Sequence, residues 1–177
     1  MKIDGAMIAA AECVGVQQPP GGAMLRENLV QVLQLPKPAV DWLCSLYEVI
    51  QAFDDYADGD EVPRERLNAL IWDALVAMPS NTFFTANAPA LLPVLAVQVL
   101  KWQGADARER DGHPSEMAFA WRAGFYDVVL AAVAACHGPD VAHHAAPVVL
   151  QLYSERYADY RAEFIKETQP CQPQHQR

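Results

Sequence analysis

Three carboxylates grouped in the first half of the chain, Asp54, Asp55 and Asp58, have the types and spacing that do chemistry. Upstream of them Leu43, Leu46, Tyr47, Ile50 and Phe53 recur at helical intervals and define a buried face. Asp54 follows Ile50 by four residues and Tyr47 by seven, so it continues that face, and Asp58 lies one turn further along it. Asp55 stands roughly 100° round from Asp54. Two carboxylates are thus expected to face the interior at the C-terminal end of a helix, where the helix dipole is already negative. Burying even one of them unpaired costs on the order of several kcal/mol. A hard divalent cation removes that cost, because Mg²⁺ takes one or two carboxylates and keeps waters or phosphate oxygens. A guanidinium does so by ion pairing, and Arg64, Arg66 and Arg122 are the candidates.

Arg122 and Asp127 interrupt an otherwise apolar stretch from Met117 to Cys136. Such a stretch reads as a helix surrounded by others. Its two charges either form an ion pair, with each other or with adjacent helices, or both face an interior cavity and bind a ligand there.

Written out, residues 54–58 are Asp-Asp-Tyr-Ala-Asp, the pattern DDxxD. In this the sequence resembles the class I isoprenoid synthases, the prenyltransferases and terpene cyclases. The resemblance implies an all-α bundle in which Asp54 and Asp58 bind Mg²⁺, Asp55 supports them, and the metal grips a substrate diphosphate. Its chemistry would be Lewis-acid stabilisation of the departing diphosphate. That family also carries a second metal motif with ligands at i, i+4 and i+8; here Asp127 is followed at those intervals by Ala131 and Ala135. The twelve positions from Asp54 to Glu65 also have the frame of a calcium loop between helices, with Gly59 sixth and Glu65 last. Tyr56 occupies one of its ligand positions.

The elements that position these residues read as helices. The pattern predicts helices over 23–35, 38–58, 63–78, 88–103, 115–137 and 139–166, the fourth interrupted early by Pro89 and Pro93 and the last kinked at Pro147. Ser115 suits an N-cap, and Gly59 and Gly138 suit helix ends. No alternating strand pattern occurs. The expected fold is all-α, a single bundle of about six helices around a central apolar fifth. An N-terminal arm over residues 1–22 ends in Gln-Gln-Pro-Pro-Gly-Gly, the helical domain covers 23–167, and a disordered polar tail covers 168–177.

The 177 residues suit one domain, with 52% hydrophobic and 20% charged residues. Lys plus Arg number 13 against 22 for Asp plus Glu, a net charge of −9, and no basic cluster tracks a phosphate backbone, which excludes nucleic-acid binding. The apolar run Ala6–Ala11 is too short and too acid-flanked for a secretory signal. No uncharged stretch reads as long and bulky enough to span a bilayer, so the expectation is a cytoplasmic protein with no membrane partner. Four scattered cysteines form neither a zinc framework nor a disulfide scaffold. No phosphate loop, nucleophile elbow or zinc-protease motif occurs, and no catalytic residue is assigned.

Two functions follow. One is a non-catalytic acidic helical protein acting through a protein partner or self-association, of the viral or mobile-element accessory type, in the host cytoplasm if virus-encoded. The alternative is an isoprenoid-synthase-like protein that binds Mg²⁺-diphosphate through Asp54, Asp55 and Asp58, with Arg122 and Asp127 lining the ligand cavity.

Overall fold

The structure, a computed structural model, describes residues 22–153 and 155–167. Apart from residue 22, the expected arm and tail lie outside the described residues. Those residues form eight helices and no strand: α1 (Gly22–Glu27, running into a π turn at Asn28–Val32), α2 (Lys37–Asp58), α3 (Arg64–Trp72, continued through a π turn to Ser80), α4 (Thr82–Arg110), α5 (Glu116–Arg122), α6 (Phe125–His137), α7 (Pro139–Gln151) and α8 (Tyr157–Glu167). The fold is all-α.

Local chemistry sets the boundaries. Pro36 in extended conformation precedes α2, and Gly59 ends it at φ 84°, a left-handed value that a Cβ would strain. Asn81 caps α4 twice over, its Oδ1 accepting from the Phe83 and Phe84 amides at 2.9 and 3.2 Å. Its Nδ2 also donates to the Pro38 carbonyl at 3.0 Å, which fastens the start of α4 to the start of α2. Ser115 caps α5 through the Ala118 amide.

The main core gathers Leu29 of α1, Val40, Trp42 and Leu43 of α2, and Val128, Val129, Ala132 and Val133 of α6, all within 1% of complete burial. A smaller cluster joins Val49 and Ala52 of α2 to Leu70 of α3. Cover over α2 therefore shifts to α3 at its C-terminal end. Phe53, expected on the buried face, is 61% exposed for that reason.

Three expected helices differ. The expected fifth breaks into α5 and α6 with a 46° bend. The chain runs so close to α4 at Gly124 that a Cβ there would stand 2.0 Å from Gln98 Oε1. The expected sixth ends at Gln151, and α8 begins afresh at Tyr157. The expected fourth is instead one helix of 29 residues with Pro89 and Pro93 inside it. Both prolines are exposed, so the carbonyls they leave without a helical donor, those of Thr85 and Pro89, lie on the outward side.

Once those prolines no longer divide it, α4 overturns the expectation that no stretch is long and apolar enough to span a bilayer. One 18-residue window has a mean hydropathy of 1.6, and only 11% of that window is buried.

Candidate functional site

Arg122 is the last residue of α5, and the bend after it turns its guanidinium into the space between the C-terminal ends of α2 and α4. One Nη bonds Asp54 Oδ1 at 2.5 Å and lies 3.9 Å from Asp58 Oδ2. The other bonds Glu109 Oε2. Glu109 in turn accepts from the Tyr160 hydroxyl of α8 at 2.6 Å, and Asp54 from the Trp102 indole at 2.9 Å. One cation thus ties together α2, α4, α5 and, through Tyr160, α8.

Burial is graded across the cluster. The Glu109 side chain is 4% exposed, Arg122 18%, Asp54 28% and Asp58 55%. The ends of α2 and α4 both bring the negative pole of a helix dipole to this point, together with their carboxylates. Burial alone would lower the Arg122 pKa, but the charges of Asp54 and Glu109 and the hydrogen bonds to them outweigh it, and the net shift is upward. Tyr160 is pushed up by burial and then by its bond to Glu109, so it acts as a donor held in place. Asp58 is pushed up by burial and by the charge of Asp54, only partly offset by Arg122.

The three motif carboxylates are therefore divided. Asp54 belongs to Arg122. Asp55 points away and bonds Arg66 of α3 at 2.6 Å. Asp58, expected to face the interior, is half exposed at the rim. Asp127 does not join Arg122 at all: five residues on is about 140° round a helix, and the bend separates the two further. Its side chain is 53% exposed and takes Lys101 at 2.7 Å and Gln98 at 2.6 Å on the side of α4.

As arranged, these residues do not fit a bound Mg²⁺. Asp54 Oδ1 already accepts from Arg122 and Trp102, and Asp55 Oδ2 from Arg66. Among the described residues, no three or more His, Cys, Asp or Glu side chains are grouped to hold a metal ion. A cleft of about 550 Å³ does open beside the cluster, lined by Asp58, Asp60, Asp106 and Glu155 with Arg110 and Arg122. A second space of about 310 Å³ adjoins it, walled by Tyr47, Trp102, Phe125, Tyr126 and Tyr153.

Sequence reasoning missed Glu109, Trp102 and Tyr160. Glu109 lies in the stretch Gly-Ala-Asp-Ala-Arg-Glu-Arg, which falls between the expected fourth and fifth helices. The missed signal is the spacing of Trp102, Ala105 and Glu109 at i, i+3 and i+7, which carries one face of α4 on to Arg110.

The second feature is α4 itself. From Ala86 to Leu100 every exposed residue is apolar, with Leu92, Val97, Val99 and Leu100 between 52% and 65% exposed. The polar residues of the same stretch, Asn87 and Gln98, lie on its inner side and bond within the molecule. Along α3, Leu67, Ile71 and Leu75 form a further exposed apolar row, with Trp72 beside it.

Comparison with family models, with curated proteins and with solved structures returns no match to this chain. The resemblance to isoprenoid synthases accordingly rests on residues 54–58 and the all-helical context alone.

Proposed function

We propose that this chain acts through protein–protein interaction at the outward face of α4, and that the Arg122 cluster is the structural brace behind that face. The observation that carries the reading is the inversion of α4: an apolar half-cylinder faces outward while its amide side chains face inward. Leaving such a face in water forfeits about 25 cal/mol for each Å² of apolar surface. A lone folded chain rarely keeps a contiguous patch of more than a few hundred Å². A covered face removes that cost.

The carboxylate cluster supports the same reading from the other side. Its most buried members, Glu109, Arg122 and Asp54, are engaged in ion pairs and hydrogen bonds that hold helices together. The acidic charge of the chain is displayed away from the outward face of α4, whose central turns are uncharged.

The test is purification of the tagged full chain from its native cell extract beside Val97→Glu/Leu100→Glu. Both positions are exposed, so the variant keeps its fold, as circular dichroism would verify. A discrete binding species, another protein or a further copy of the chain, is expected with the wild type and lost with the variant. The same set recovered with both proteins would sink the reading.

A further inference from the structure

We infer that the occupant of the α4 face is a second copy of this chain, paired antiparallel across a two-fold axis near the middle of the helix. The inference rests on the interaction reading above and names its partner.

Area is the first argument. Nine exposed apolar residues line this face between Ala86 and Leu100, a patch on the order of several hundred Å², the scale of the ~800 Å² that each partner contributes to a standard-size interface.

The second argument is self-complementarity. A two-fold interface sets the same patch against itself, so any charge near its centre meets its own kind. This face has none from Ala86 to Leu100, and its polar limits, Thr85 and Gln103, are neutral. A face built for a basic or acidic partner would carry charges to recognise it.

Direction follows from the ends. A parallel pairing would bring the exposed Arg108 and Arg110 of both copies together. An antiparallel one separates them by most of the helix and sets each C-terminal pole beside the other copy's N-terminal pole.

Lipid fits less well. By length α4 could cross a bilayer, but its inner side carries Asn87 and Gln98 and the buried Phe83, Leu91 and Ala105, which are engaged with the rest of the molecule. Helices that lie in a membrane surface border their apolar face with Lys and Arg, whereas this chain carries a net charge of −9. That charge makes a further prediction: two acidic copies repel, salt screens the repulsion, and pairing therefore tightens as salt is raised.

The experiment is sedimentation equilibrium of the purified full chain at low and high salt. It compares the wild type with Val97→Glu/Leu100→Glu and with Leu150→Glu, which alters a still more exposed leucine on α7. The wild type and Leu150→Glu are expected at twice the 19.5 kDa chain mass, more completely at high salt, and the α4 variant at the single-chain mass. A dimer that survives in the α4 variant overturns the inference. So does a wild type that stays monomeric at every concentration, or one that is monomeric and floats with neutral phosphatidylcholine vesicles. If a monomeric wild type still captures a distinct protein that the α4 variant loses, self-pairing fails while the interaction reading stands. If it captures none, both fail.

Discussion

Replacing Arg122 by Met tests whether the carboxylate cluster is a brace. The substitution keeps most of the side-chain volume and removes the charge, leaving Glu109 with the Tyr160 hydroxyl as its remaining partner in the cluster. Removing one member of a buried pair costs about 3–5 kcal/mol, because the other charge is left uncompensated. Glu109, at 4% exposure, incurs nearly the full penalty. Asp54, at 28%, keeps the Trp102 bond and some water, and Asp58, at 55% and 3.9 Å, adds ~0–1 kcal/mol at most. The expected loss is therefore near the lower end, about 3 kcal/mol, which lowers Tm by about 10 °C for a chain of this size. Urea unfolding of the wild type, Arg122→Met, Glu109→Gln and the double variant forms a cycle in which the double loses less than the two singles together. A loss under about 1 kcal/mol, or strict additivity with Glu109→Gln, would refute the reasoning.

Further outcomes follow from the same geometry. Tyr160→Phe removes a hydroxyl donated to a charged acceptor, so it should cost about 1.5–3 kcal/mol in unfolding free energy and raise amide exchange in α8 first. Asp58→Asn should stabilise the protein at neutral pH, since the folded-state pKa is raised and the charged form is disfavoured. The gain is less than about 1 kcal/mol at a half-exposed site and vanishes once the pH is below the unfolded value, where both states are protonated. Asp41 behaves oppositely: bonds from Lys37 and Arg26 lower its pKa. Its contribution is thus present at neutral pH and lost as pH falls through the folded value, and Asp41→Asn should destabilise only above that range. Mg²⁺ or Ca²⁺, with or without pyrophosphate, should leave Tm unchanged, whereas a native-state ligand at a hundred times its Kd adds about 2.7 kcal/mol. A Mg²⁺-plus-pyrophosphate shift abolished by Asp54→Asn/Asp58→Asn would restore the diphosphate reading.

The all-helical fold was legible because every boundary with a strong local cause is written in the chain. Pro36, Gly59, Ser115 and Gly138 each stop or start a helix by their own backbone or side-chain chemistry. What was not legible depended on surroundings. Pro89 and Pro93 break a helix in isolation, yet α4 runs through both because the affected carbonyls lie outward. The α5–α6 bend falls where Gly124 closely approaches Gln98, a contact across two helices that no local pattern announces. The candidate site was half visible. Asp54, Asp58 and Arg122 were singled out and do meet, but Glu109 and Tyr160 complete the cluster from elements read as a loop and as part of a longer helix. Asp127 was grouped with Arg122 on composition alone, and helix geometry parts them.

The measurement that bears most directly on the interaction claim is site-specific photo-crosslinking in living cells. A photoreactive residue at Val97 is compared with one at Glu48, an equally accessible polar position on α2 with a half-exposed side chain. Discrete adducts of defined mass from position 97 and none from position 48 are the predicted result. Adducts from both positions alike, or from neither, would contradict the assignment of α4 as the working surface of the protein.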